Sequence, residues 1–326
     1  MLEIINAQLR PNGEAFDHRF FDGGINVILG SNDSGKTNLC RFLTGLSSTA
    51  SGEVLIDGES YSKISKRRPV SLVVQDFVND PLWTVEENIN SPLRAQGDLK
   101  KEQISARTYE LGELLGLTDY LKKYPAELSG GQQQRVALGR ALAKNARIMI
   151  LDEPFVNLDY KLRESLRTEL KSLASNLDTT IIYSTMDPKE ALAIADDVLL
   201  INDYSFIQSG IPLEVYSRPV SILAADLMSD PRVNVFRSQK TLIEPSQILA
   251  VRPEHLRPAK SLNKSASLIF ELKIEHFENV GSETFVQGMA DGSEWVMKTD
   301  EKIPLKIGNS IEVGVPRTEI LKFGSQ

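Results

Sequence analysis

The sequence predicts an α/β domain built on a parallel sheet covered on both faces, with a helical insertion, followed by a smaller all-β domain. Three observations lead there. From Met1 to about Ser217, short apolar runs alternate with helical segments: "INVILG" (Ile25 to Gly30), "SLVVQ" (Ser71 to Gln75), "IMILD" (Ile148 to Asp152) and "TIIYS" (Thr180 to Ser184). Continuous apolar strands followed by helices mark a sheet buried on both sides. Between about Leu82 and Lys144 the strands give way to helical periodicity, as in "ISARTYELGELLGL" (Ile104 to Leu117). After "DPRVNVF" (Asp230 to Phe236) the texture becomes alternating, with "SLIFELKI" (Ser267 to Ile274), "ETFVQGM" (Glu283 to Met289), "EWVMK" (Glu294 to Lys298) and "SIEVGV" (Ser310 to Val315) reading as short strands between turns. The expected domains are residues 1–217, with the helical subdomain at about 82–144, a linker at 218–234, and a β-domain at 235–326.

Composition agrees with two domains. A chain of 326 residues is longer than most single cores, and 41% hydrophobic residues are enough to fill two. A formal charge of −7 with 25% charged residues describes an ordinary surface and argues against a nucleic-acid partner held by bulk electrostatics. The basic run "SKRRP" (Ser65 to Pro69) is short and reads as a solvated turn. Cys40, the single cysteine, cannot form an internal disulfide; it lies in an apolar helical pattern with Leu39, Phe42, Leu43 and Leu46 and reads as a buried structural thiol. The opening "MLEIINAQLR" lacks the marks of a signal peptide, and no apolar run approaches the ~20 residues a spanning helix needs. The expected location is the cytoplasm, with any membrane contact made through a partner.

The chemistry begins at "GSNDSGKT", Gly30 to Thr37, which fits G-x-x-x-x-G-K-[ST], follows a strand and opens the helix "TNLCRFLTGL". The backbone N–H groups of Gly30, Ser31, Asn32, Asp33, Ser34 and Gly35 can cradle phosphate at a helix N-terminus. Lys36 would reach the β- and γ-phosphates, and the Thr37 hydroxyl would ligate Mg²⁺. The strand before and helix after make a mere glycine turn the weaker reading. "IMILDEP" places Asp152 and Glu153 just past a buried strand, at the sheet edge where α/β proteins bind ligands. Asp152 is the metal residue expected there and Glu153 the base toward an attacking water, against the plainer reading of two carboxylates capping the next helix. In "LSGGQQQRVALGRALAKNARIMILDEP" (Leu128 to Pro154), Ser129, Gly130 and Gly131 precede a helix start and form a second anion-binding end. Two phosphate half-sites on one chain make sense if two subunits meet head to tail.

On these residues the chain resembles the ATP-binding cassette ATPases. The resemblance covers residues 1 to about 217: the phosphate loop Gly30 to Thr37, Gln75 in "VVQDF", the signature Leu128 to Gln132, the Mg²⁺ and base segment Ile148 to Glu153, and "NLD" (Asn157 to Asp159), the loop between subunits. It implies a phosphate-loop NTPase cassette, a RecA-like core plus helical subdomain, followed by a small OB-like β-domain. It implies two ATPs sandwiched in a dimer, each between the phosphate loop of one subunit and Ser129, Gly130, Gly131 and Gln132 of the other. By the same resemblance, Gln75 would join Thr37 and Asp152 at Mg²⁺ and assist Glu153, and Asp159 would face the second subunit. Transmembrane permease subunits would dock beside Gln75, making Asp76 and Phe77 candidate coupling contacts or plain packing, and a periplasmic solute-binding protein would take part indirectly.

"LAVRPEHLRP" (Leu249 to Pro258) looks like the C-terminal β-barrel segment of importer ATPases for sugars, polyols and related solutes; His255 within it reads as a turn or interface residue. "VVQDFVNDPLWTVEENINSPLR" and "DEPFVNLDYKLRESLRTEL" look particularly like ATPase subunits of a bacterial glycerol importer, which has two different ATPase chains.

Two positions depart from the family pattern. A histidine usually follows the "TIIYST"-type strand and hydrogen-bonds the γ-phosphate and the attacking water; here Met186 stands there. A thioether is at most a weak acceptor and has no N–H to give. Before the phosphate loop the family stacks adenine on an aromatic, yet "AQLRPNGEAF" offers only Phe16, out of its expected place. Both departures fall on this chain's own phosphate half-site, whereas "LSGGQ" is intact. The expectation is a heterodimer in which a histidine-bearing partner supplies the competent phosphate loop. The alternatives are a homodimer in which Met186 only packs and Glu153 suffices, or a non-transport or regulatory cassette ATPase.

Overall fold

A computed structural model describes residues 1–47, 49–63, 70–74, 78–97, 99–144, 146–155, 158–177, 179–237 and 247–324. They divide into two compact units, Met1–Pro212 and Leu213–Gln326. Gln75, Asp76, Phe77 and Asn157 lie outside the described residues.

The first unit runs β1 (Leu2–Gln8), β2 (Phe16–Arg19), β3 (Ile25–Leu29), α1 (Lys36–Leu43), β4 (Ser51–Ile56), β5 (Glu59–Ser60), β6 (Val70–Val73), α2 (Val85–Gln96), α3 (Lys101–Leu114), α4 (Gly130–Ala143), β7 (Ile148–Asp152), α5 (Tyr160–Leu177), β8 (Thr180–Thr185), α6 (Pro188–Ile194), β9 (Asp197–Asn202) and β10 (Ser205–Gly210). Its main sheet has the order β10-β9-β3-β8-β7-β6, parallel except for the edge strand β10. Every residue of β3, β7 and β8 is buried, as a parallel sheet covered on both faces requires.

A second, antiparallel sheet of order β2-β1-β4-β5 was not anticipated from the sequence. Only Leu2, Ile4 and Ala7 of β1 are buried, and the first half of β4 is exposed, so neither carries the continuous apolar run that marks the central strands. Leu2, Ile4, Val54 and Ile56 of this sheet meet Leu39, Cys40 and Leu43 of α1 and Ile28, Ile150 and Ile182 of the main sheet in one core. Cys40 is therefore the packed thiol expected of it.

The helical subdomain holds α2, α3 and α4. Thr84 starts α2 with a capping box to Glu87, and Gly97 ends it in the left-handed region. Asn88, fully buried, donates to the carbonyls of Asp80, Trp83 and Thr84 and accepts from the Asp80 N–H, fixing the loop that enters α2.

The second unit holds all but the first residue of α7 (Pro212–Ser217), then α8 (Ile222–Leu227), and continues through β11 (Asn234–Arg237), β12 (Ile248–Val251), β13 (Arg257–Pro258), β14 (Ser267–Asn279), β15 (Thr284–Ala290), β16 (Ser293–Thr299), β17 (Ser310–Pro316) and β18 (Leu321–Phe323). Two antiparallel sheets result, β11-β12-β18 and β13-β17-β14-β15-β16. Phe236, Phe270 and Trp295 form their aromatic centre, with ring centroids 4.7–5.4 Å apart. Gly288 lets β14 and β15 approach: a Cβ there would lie 2.0 Å from the Lys273 carbonyl oxygen, where the β14 register shifts.

Arg252, only 1% exposed, ties this unit together. Its guanidinium donates to the carbonyls of Ala225, Met228 and Tyr216 and to the Ser229 hydroxyl, and lies 3.7 Å from the Tyr216 ring centroid. Tyr216 in turn donates to Glu254 at 2.6 Å. His255 sits on the 3-10 turn Pro253–His255, its Nδ1 3.3 Å from a Glu319 oxygen.

Candidate nucleotide site

Three neighbouring strands, β3, β8 and β7, end at the same edge of the main sheet, with Leu29 opposite Thr185 and Asp152 opposite Ser184. Their following residues are Gly30 to Thr37, Met186 and Glu153, so segments distant in sequence meet where open α/β sheets bind ligands.

The phosphate loop turns through Asp33 (φ 57°) and Gly35 (φ 104°) and enters α1. A side chain at Gly35 would face a backbone it cannot easily adopt and would meet Tyr204 at 3.0 Å. Ser31, Asn32 and Asp33 are exposed, Ser34 and Lys36 buried, and Thr37 half-buried at the first turn. The Lys36 ammonium donates to the Gly30 carbonyl (2.9 Å) and the Ser31 carbonyl (2.7 Å), and stands 3.2 Å from a Glu153 oxygen. An ammonium has three N–H groups, so an incoming phosphate must displace one of these partners.

Asp152 and Glu153 are both buried and are held by one hydroxyl. Ser184 donates to Asp152 (2.7 Å) and accepts the Glu153 backbone N–H (2.9 Å). Glu153 has φ 47°, a conformation costing a non-glycine residue on the order of 1–3 kcal/mol and found where surroundings over-determine it. Burial, and after it the Asp152 charge, push the Cys40 thiol well above its ordinary value, so it is inert. Asn32 to Asn38, Glu153 and Tyr204 line a cavity of about 540 Å³.

Met186 follows β8 at the turn into α6 and is 47% exposed. It shares a second, smaller cavity with Glu153, Phe155, Arg163, Tyr183, Thr185, Asp187 and Glu190. Among the described residues no histidine lines either cavity. The turn is held by side-chain hydrogen bonds: Asp187 caps α6 by accepting from the Lys189 N–H (2.8 Å), and its own N–H donates to Thr185 (3.1 Å). Behind it the buried Glu190 accepts from Tyr183 (2.6 Å) and Thr185 (2.7 Å) and pairs with Arg167 (3.2 Å).

Ser129 is the N-cap of α4, accepting from the Gln132 N–H at 3.3 Å while the Gln132 side chain accepts from the Ser129 N–H at 2.9 Å. Ser129 and Gly130 are exposed, and Gly131 and Gln132 half-buried, leaving a helix N-terminus open to an anion. Gln134 donates to the Pro154 carbonyl at 3.1 Å, joining α4 to the segment after Glu153. Asp159, exposed, accepts from the Leu162 N–H at the start of α5.

Phe16 is buried at 9% exposure and stacked on Phe206, with ring centroids 5.7 Å apart and planes at 20°; it is a packing residue, unavailable to a base. Sequence reasoning missed Ser184, Tyr204 and the Glu190 cluster. The first and last follow buried polar residues in or beside an apolar strand, a signal visible in "TIIYST" and "KEAL".

Comparison with known proteins agrees with this geometry. A family model described as ABC transporter matches residues 15–156, and one described as TOBE domain matches residues 249–323. The sn-glycerol-3-phosphate import ATP-binding protein UgpC of Cereibacter sphaeroides is 35% identical over 327 residues, covering 95% of this chain and 92% of the relative. Its namesake from Rhodopseudomonas palustris is 36% identical over 281 residues, covering 84% and 77%. Among solved structures, the ATP-binding cassette MJ0796, in a dimeric post-hydrolysis state bound to ADP and Pi, superposes with a TM-score of 0.59 at 26% identity over 65% of this chain and 99% of that one. No described helix is long and apolar enough to cross a membrane. The chain belongs to the ABC transporter family, as an ATP-hydrolysing subunit with a C-terminal TOBE domain.

Proposed function

We propose that this ATPase powers import of a small sugar- or polyol-class solute, glycerol or its 3-phosphate foremost, as one half of an asymmetric ATPase pair docked on permease subunits at the cytoplasmic face of the membrane. The glycerol-3-phosphate importers among its relatives support the solute class. A periplasmic solute-binding protein would deliver the solute to the permease.

At this chain's own half-site, Lys36 and the N–H groups of the phosphate loop hold the β- and γ-phosphates. Glu153 takes a proton from the attacking water, and Ser184 fixes it beside Asp152. The Thr37 hydroxyl, the Asp152 carboxylate and Gln75 supply only oxygen donors, which suits Mg²⁺; the bound metal would neutralise phosphate charge. Ser129, Gly130, Gly131 and Gln132 close the nucleotide of the second subunit, with Asp159 on the same inter-subunit face.

The observation that carries the asymmetry is Met186 on the cavity it shares with Glu153. One preorganised donor to transition-state charge is typically worth ~10² to 10³ in rate, and a thioether supplies none. A homodimer with normal turnover is the second reading, favoured by Glu153 standing in place against Lys36. The purified chain should hydrolyse ATP slowly, co-expression with its partner should raise the rate, and Met186→His should accelerate this chain's own site about 10²-fold. Brisk hydrolysis by the chain alone would overturn the asymmetric reading in favour of the homodimer.

A further inference from the structure

We infer that Tyr204, on the hairpin between β9 and β10, is the surface on which the nucleotide's base stacks; this rests on nucleotide binding at the phosphate loop. Four observations converge on it. Asp203 (φ 45°) and Tyr204 (φ 62°) form a two-residue turn in the left-handed region, where glycine or asparagine is the easy choice and a bulky aromatic is strained. The strain is imposed beside the phosphate loop: the Tyr204 N–H donates to the Ser34 carbonyl at 2.8 Å, and the ring lies against Gly35. Tyr204 is the one aromatic among the described residues lining the 540 Å³ cavity.

The fourth observation is the support around the ring. Arg10 is gripped by both oxygens of Asp203 (2.9 and 3.1 Å) and its guanidinium lies 5.7 Å from the Tyr204 ring centroid. Asn38, on the same cavity, donates to the Leu9 carbonyl at 3.3 Å. The loop after β1, the hairpin after β9 and the start of α1 thus form one wall, and its aromatic component is Tyr204. Phe16, by contrast, is sealed against Phe206. A tyrosine ring backed by a guanidinium suits a base, because every base presents a π-face and arginine adds a cation–π contribution. Arg10 acts as the positioning residue for the ring.

The test compares MgATP with inorganic tripolyphosphate, which carries the phosphates without a base, by calorimetric titration of the full chain. Tyr204→Ala should weaken MgATP about 10-fold and leave tripolyphosphate within about 2-fold, while Tyr204→Phe and Tyr204→Trp keep MgATP affinity within about 3-fold. Tyr204→Gly relieves the left-handed backbone, should fold at least as well as the parent, and should show the same selective loss of MgATP. An unchanged MgATP affinity in the Gly and Ala variants, or equal losses for both ligands, would overturn the assignment and make Tyr204 a packing residue. Tripolyphosphate binding as tight as MgATP in the parent would overturn the stacking surface alone. A parent that bound neither would overturn the nucleotide reading itself, and this assignment with it.

Discussion

Two buried cations, Lys36 in the first unit and Arg252 in the second, show how the same expense of desolvation serves opposite ends. Both are almost inaccessible, at 4% and 1%. Arg252 fills its fork with the carbonyls of Ala225, Met228 and Tyr216, the Ser229 hydroxyl and the Tyr216 ring, which binds two helices to the edge of β12. Among the described residues Lys36 has three partners, two of them carbonyls of its own loop, and it faces a cavity of about 540 Å³. A buried cation with every donor fixed inside the packed interior is structural. One whose partners line an open cavity can exchange them for a ligand.

Substituting each cation sharpens the contrast. Lys36→Ala should lower ATP hydrolysis by on the order of 10² to 10³-fold with little change in melting temperature, measured by steady-state phosphate release and calorimetry. Arg252→Ala should do the reverse, costing about 3 kcal/mol through carbonyls left buried without a donor and melting the second unit first. An Arg252→Ala chain as stable as its parent would break the comparison.

A smaller effect is expected at Ser184, whose single oxygen serves the Asp152 carboxylate and the Glu153 backbone. Ser184→Ala removes the donor to Asp152 and the acceptor of the Glu153 N–H, and about 1–3 kcal/mol of stability should go with them. Equilibrium urea unfolding reads it; a variant within experimental error of the parent would mean that Asp152 and Glu153 are held by other contacts.

The smallest effect concerns two groups that burial shifts in opposite senses. Burial lowers His18 from 6.5 to about 4 and raises Asp197 from 3.8 to about 6, and the His18 Nε2 lies 3.7 Å from an Asp197 carboxylate oxygen. Between pH 6.5 and 4 the unfolded chain binds a proton at His18 that the folded chain refuses, so acidification destabilises. Between pH 6 and 3.8 the folded chain binds a proton at Asp197 that the unfolded chain lacks, so acidification stabilises. The two nearly cancel in the overlap. Asp197→Asn removes the second term, and its melting temperature should fall more steeply than the parent's from pH 6.5 to 4; superimposable profiles would sink the idea.

The central strands were legible because a sheet covered on both faces leaves continuous apolar runs, and Ile25–Leu29, Ile148–Asp152 and Thr180–Thr185 each show one. The phosphate loop and Ser129 to Gln132 were legible because glycines and a capping residue must stand at fixed offsets from a helix start. The β1, β2, β4, β5 sheet was not, because half-buried strands interleave polar residues and its pairing joins Leu2 to Ile56 across the chain. Tyr204 was invisible for a related reason: it reaches Ser34 only because β9 lies beside β3. In the sequence it is one more residue of a turn.

The hydrogen bond from Gln134 to the Pro154 carbonyl has a mechanical meaning on the proposed dimer. Pro154 follows the two carboxylates proposed to serve one nucleotide, and Gln134 rides on the helix whose first turn would serve the other. A displacement of the first segment must either drag that helix or break a buried bond. In the proposed dimer this side-chain amide would be one link by which a change at one nucleotide is felt at the other.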